Sequence, residues 1–108
     1  MIVIKSVFGL IGLAKRAGKI SCGESACKEA IKLGKSFLII LAQDVGKNTS
    51  KNILDSCSFY KVKHLILGTK ESLGHAVGNP YNAVLSINDE GFANGILKKY
   101  SANINEGE

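Results

Sequence analysis

From Ser36 to Ala42 the chain reads Ser-Phe-Leu-Ile-Ile-Leu-Ala, an aliphatic block with no polar alternation. A strand that shows one face to water alternates apolar and polar residues, so an unbroken block of this kind requires cover on both faces. The flanking segments supply that cover. Upstream, Val3, Val7, Leu10, Ile11, Ala14 and Ala17 recur at spacings of three and four, which predicts a helix over residues 5 to 17 closed by Gly18. Ser21 with Glu24 three residues later reads as a capping box that opens a second helix through Cys27, Ala30 and Ile31 and ends at Gly34. Downstream, the polar turn from Asp44 to Thr49 offers Asn48 or Thr49 as the cap of a third helix with Ile53, Leu54 and Cys57 on its apolar stripe. The block is therefore expected to be the central strand of an α/β layered sandwich.

The second half repeats the alternation. Leu65, Ile66 and Leu67 form another short apolar block, and Thr69 is placed to cap a short helix carrying Leu73, Ala76 and Val77, stopped by Gly78 ahead of the Asn79-Pro80 turn. Ala83 to Ile87 is a further strand candidate. A last helix, capped at Asn88 or Asp89, turns Phe92, Ala93, Ile96 and Leu97 inward and is expected to fray into a polar tail over Ser101 to Glu108. With 108 residues, 45% of them apolar, there is material for one core, which predicts a single domain over residues 1–100 and a tail over 101–108.

The longest apolar run, Phe37 to Ala42, is far shorter than the roughly 20 residues a bilayer requires. Met1 to Lys5 carries no secretory signature, so a cytoplasmic protein without membrane contact is expected. Cys22, Cys27 and Cys57 are odd in number and hold no Cys-x-x-Cys pair, which points to free thiols rather than a disulfide framework or zinc site.

Catalytic motifs fail on inspection. Gly12 and Gly18 are wrongly spaced for a phosphate loop, Lys19 is followed by Ile20 rather than Ser or Thr, and Gly-x-Gly-x-x-Gly is absent. His64 and His75 lie on different expected elements without metal-ligand spacing. A Cys57–His75 nucleophile and base is disfavoured because Cys57 sits on a core stripe, where a thiol ionises poorly. A non-catalytic protein with no cofactor, no metal and no small-molecule substrate is the expectation.

Charge is more informative. Fourteen Lys and Arg stand against nine Asp and Glu, a formal +5. Through residue 35 the chain holds Lys5, Lys15, Arg16, Lys19, Lys28, Lys32 and Lys35 against Glu24 and Glu29, so the whole excess falls there. Lys28, Lys32 and Lys35 recur at helical spacing. Placed beside Lys15, Arg16 and Lys19 in the preceding turn, they would make a compact positive surface for a phosphate backbone. The competing reading gives Lys15, Arg16 and Lys19 to the carboxyl end of a helix dipole and the others to a solvated helix face.

Three ordered segments resemble one family. Gly23-Glu24-Ser25-Ala26-Cys27-Lys28-Glu29-Ala30-Ile31-Lys32-Leu33-Gly34 is similar to the RNA-binding helix of the ribosomal kink-turn binders, the L-seven-Ae and L-thirty-e group. Phe37 to Val45, with its Ala42-Gln43-Asp44 ending, resembles the family's central strand, and Leu67 to Gly78 resembles its second recognition loop and the turn after it. Leu10 to Lys19, with Asp89-Glu90-Gly91-Phe92-Ala93, looks most like the small bacterial YlxQ-type branch.

The resemblance implies a three-layer α-β-α sandwich with a four-stranded mixed sheet, no cofactor, and association of a monomer with structured ribosomal RNA or the ribosome. Where the family carries Gly-x-Asn-Glu-x-x-Lys to read guanine edges, this chain has Ser25, Ala26 and Glu29. Each lost contact of that kind costs on the order of 1–3 kcal/mol, so weakened or altered kink-turn specificity is expected. The candidate RNA-contacting set is Lys15, Arg16, Lys19, Gly23, Glu24, Ser25, Lys28 and Lys32, with Leu67, Gly68, Thr69 and Lys70 from the second loop. Leu67 is read either as packing on an unstacked base or as a strand-end core residue. The alternative function is a protein-protein interaction module of the ribosome or the transcription-translation machinery that has lost RNA readout.

Overall fold

The computed structural model describes the backbone of residues 2–107 and the side chains of residues 5–101. The elements are α1 (Ile2–Arg16), β1 (Ile20–Cys22), α2 (Glu24–Lys32), β2 (Leu38–Leu41), α3 (Lys47–Tyr60), β3 (His64–Ile66), α4 (Lys70–Val77), β4 (Val84–Ile87) and α5 (Glu90–Gly107). The strands form one mixed sheet in the order β1-β4-β2-β3, with β2 and β3 parallel and β4 antiparallel to both β1 and β2. The aliphatic block is an interior strand, a position β2 shares with β4.

Its lack of alternation has the expected cause. Leu38 and Ile40 enter a core with Val7 and Ile11 of α1, Leu73 of α4 and Ile96 of α5. Ile39 and Leu41 enter a second core with Cys27 and Ile31 of α2 and Ile53 and Cys57 of α3. All four β2 side chains are fully buried. Helices α1, α4 and α5 thus cover one face of the sheet and α2 and α3 the other, the three-layer α-β-α sandwich with a four-stranded mixed sheet that the resemblance implies.

Several boundaries differ from the sequence reading. Ser21 does not open α2: it lies in β1, paired with Ser86, and its hydroxyl accepts from Asn88 Nδ2 at 2.8 Å. Three half-buried residues are too few to show a strand period, which is why β1 is invisible in the sequence. Gly23 precedes α2 with no side-chain cap, and its φ of +92° is a conformation glycine alone adopts readily. Helix α3 begins earlier than Asn48 or Thr49, after Gly46, and Thr49 turns to a different partner. At α4 the expected cap holds: the Thr69 hydroxyl accepts from Ser72 N at 3.1 Å while Ser72 Oγ accepts from Thr69 N at 2.8 Å. At α5 the cap is Asp89, whose carboxylate accepts from Phe92 N at 2.9 Å. That helix continues to Gly107 through the stretch expected to fray as a tail, and Glu108 lies outside the described residues. No described helix is long and apolar enough to cross a membrane.

Candidate nucleic-acid interface

The register fixes which turns share an edge. Cys22 pairs with Leu85, and Leu41 pairs with both Val84 and Ile66. The C-terminal ends of β1, β2 and β3 and the N-terminal end of β4 therefore lie together, on what is called the upper edge below. Gly23 to Ser25, Asp44, Gly68 to Lys70 and Tyr81 emerge there.

This edge is organised by short-range polar contacts. The Lys70 backbone N–H donates to Asp44 Oδ1 at 2.8 Å, so Asp44 ties the turn after β2 to the start of α4. Gln43 N donates to Gly68 O at 2.8 Å across the same junction. Gly68 has φ +68°, and a Cβ there would sit 2.7 Å from Ser72 Oγ and 2.9 Å from Phe8 Cζ, so the tight turn needs glycine. Glu24 accepts from Thr49 Oγ1 at 2.8 Å and Asn52 Nδ2 at 3.0 Å, which fastens the first turn of α2 to α3. The Asn52 and Thr49 donors, in that order, hold its carboxyl below the usual carboxylate range. Helix α4 spends early amides on side chains, Lys70 N on Asp44 and Ser72 N on the Thr69 hydroxyl. Helix α2, uncapped, leaves the N–H groups of Glu24, Ser25 and Ala26 without an intrahelical acceptor, a natural seat for an anion.

The structure separates residues that the sequence reading joined. Gly23, Glu24, Ser25, Gly68, Thr69 and Lys70 converge on the upper edge, with Lys28 and Lys32 following down the exposed side of α2. Lys15, Arg16 and Lys19 do not join them: β1 intervenes, and Asn88 N donates to Lys19 O at 2.7 Å at the opposite, lower edge. The turn expected to set Lys15, Arg16 and Lys19 beside the α2 lysines contains a strand, β1. Leu67 is 4% exposed within the α1–α4–α5 core, so it is the strand-end core residue and is not available to an unstacked base. Ser25, Ala26 and Glu29, the positions to which the resemblance assigns base readout, are exposed. Tyr81, 71% exposed on the upper edge, is a candidate contact that sequence reasoning missed, its only signal an aromatic inside the Asn-Pro-Tyr-Asn turn.

The charge sorts by edge as well. Lys15, Arg16, Lys19, Lys32, Lys35, Lys61 and Lys63 lie toward the lower edge against Asp89 and Glu90, seven to two, which equals the formal +5 of the chain. The upper edge, with Lys47 and Lys70 in its turns and Lys5, Lys98 and Lys99 on the helix stretches that reach it, against Glu24, Asp44 and Glu71, holds a smaller excess, five to three. Among the described residues one ion pair forms, Lys51 with Asp55 at 3.3 Å, so the lower-edge cations face solvent without carboxylate partners.

The imagined Cys57–His75 pair is split by the sheet, Cys57 lying in the α2–α3 core and His75 on α4. Burial pushes the Cys57 thiol up to about 11 and the Cys27 thiol higher still.

Residues 5–96 match the model of the ribosomal protein L7Ae/L30e/S12e/Gadd45 family. The chain belongs to this family. Within it, the chain is 34% identical over 90 residues to the RNA-binding protein YlxQ of Bacillus subtilis, covering 83% of this chain and 90% of that one. It is 35% identical over 89 residues to the protein of the same name from Enterococcus faecium, covering 82% and 85%. A Bacillus halodurans protein of unknown function superposes with a TM-score of 0.83 at 32% identity, over 86% of this chain and 94% of the other.

Proposed function

We propose that this protein is a non-catalytic RNA-binding protein that grips structured, ribosomal RNA through its backbone and shape, as a cytoplasmic monomer, with altered kink-turn readout. Family membership and the RNA-binding relatives support the RNA partner. The observation that carries the reading is the open first turn of α2, whose unpaired amides stand on the same edge as Thr69, Lys70 and Tyr81. Amides at a helix start and hydroxyl and ammonium groups beside them contact phosphate and sugar oxygens, which position RNA without reading sequence. At the base-reading positions, Ala26 offers no hydrogen bond and Glu29 presents a negative charge, which supports recognition by shape over recognition by guanine edges.

The test is a titration of the protein with structured ribosomal RNA fragments at low ionic strength. Salt-sensitive binding is expected; absence of binding to any fragment overturns the reading.

A further inference from the structure

The lower edge carries a cleft that the function proposed above does not use. A cavity of about 410 Å3 opens where the turn between α2 and β2, the turn between α3 and β3 and the first turns of α5 meet. Phe37 and Tyr60 line it, 43% and 42% exposed. Lys32, Lys61 and Lys63 stand around the same cavity, and none has a carboxylate within ion-pair distance among the described residues. Glu90 is the one carboxylate on the wall, beside the Asn94 amide. Tyr60 and Lys32 also line a second groove of about 540 Å3 between α2 and α3, so the two hollows adjoin.

We propose that this edge is a second RNA contact, which takes a single-stranded segment with its phosphates along Lys32, Lys61 and Lys63 and its bases against Tyr60 and Phe37. The inference rests on the RNA-binding reading and adds a site to it. A duplex hides its base faces and would satisfy only the lysines, leaving the cleft-lining surfaces of the two rings without a base, although Tyr60 packs edge-to-face on Phe59 with centroids 4.8 Å apart. Unpaired bases stack on aromatic side chains while cations follow the backbone, and this cleft offers both within one wall. The cavity volume lies in the range of small-ligand sites, and Asn94 and Glu90 supply a donor and two acceptors for a base edge. Charge complementarity favours the polyanion, since the excess of the chain is concentrated here. The sheet between the edges is only about 13 Å tall along a four-residue strand, so one folded RNA with a single-stranded extension reaches both.

The test uses the full chain, with fluorescence anisotropy on an unstructured oligouridine of about ten nucleotides and, in parallel, a structured RNA fragment. Tyr60→Ala is expected to weaken oligouridine binding about tenfold. Lys32→Glu with Lys63→Glu should weaken it at least as much and flatten its salt slope by about one to two. The upper-edge variant Lys70→Glu should leave oligouridine affinity within about twofold. All these side chains are partly or fully exposed, and a thermal melt confirms folding. Unchanged oligouridine affinity in both lower-edge variants overturns the proposal, as does a loss confined to Lys70→Glu. Binding of an acidic peptide such as oligoglutamate in place of oligouridine also overturns it. Wild-type protein that binds the structured fragment but not oligouridine removes the second site and leaves the proposed function standing; binding to neither RNA removes both.

Discussion

The Thr49 hydroxyl donates to Glu24 Oε1 at 2.8 Å, and with Asn52 on Oε2 it fastens the open start of α2 to α3. Those donors lower the Glu24 pKa, so the contact stabilises the fold above the unfolded carboxylate value and is lost as pH falls through the lower folded value. Glu24→Gln should melt below wild type near neutral pH, with the gap closing as both are acidified through the carboxylate range. Melting curves across that range check this; a gap that does not change with pH contradicts it.

Leu67 tests whether the second loop meets RNA with a side chain or only with its backbone and polar groups. Because it is 4% exposed in the core, Leu67→Ala should lower stability by about 2–4 kcal/mol in urea unfolding. RNA affinity of the folded fraction should change less than about twofold. A large affinity loss without destabilisation would return Leu67 to the interface.

Gly74 is fixed by close approach of the chain to itself. A Cβ there would stand 2.7 Å from Asn79 O and 2.8 Å from Tyr81 Cα, both backbone, which cannot swing aside. Gly74→Ala should cost about 1–3 kcal/mol and displace the loop that carries Tyr81. Gly9→Ala, in open space on α1, should instead be neutral or stabilise by up to about 1 kcal/mol. Chemical unfolding of the two variants side by side decides the matter.

Lys28→Glu and Lys32→Glu change exposed cations of α2 on no ion pair. Each should weaken binding to structured RNAs of different sequence by a similar factor and reduce the salt slope by about one or more, since phosphate contacts carry no sequence information. Affinity unchanged in both, measured by titration at several salt concentrations, would place the RNA elsewhere.

The layers and most elements were legible in the sequence because burial leaves a periodic trace. The unbroken run Leu38 to Leu41 announced cover on both faces, and Thr69 and the pair Asn88 or Asp89 announced helix starts, of which the hydrogen bonds bear out Thr69 and Asp89. Strand β1 left no trace, being three residues long at a sheet edge, and that omission had a large consequence for the site. It put Lys15, Arg16 and Lys19 into one candidate set with Gly23, although the strand carries them to opposite edges. Side-chain partners were equally hidden: Ser21 and Thr49 are both plausible caps by spacing, yet their hydroxyls serve Asn88 and Glu24, from distant parts of the chain. The aromatic cleft was hidden too, because Phe37 and Tyr60 belong to separate elements and meet at one cavity only through the fold.

The central claim is RNA binding led by backbone and shape at an edge whose base-reading positions hold Ser25, Ala26 and Glu29. The direct measurement is the affinity of the wild-type chain for a kink-turn RNA and for the same RNA with its G·A pairs replaced, across a series of salt concentrations. Binding to both within about threefold, falling steeply with salt, is the expected result. A hundredfold preference for the intact kink-turn, worth about 2.7 kcal/mol, would contradict the lost readout, and no binding to either RNA at low salt would contradict the function itself.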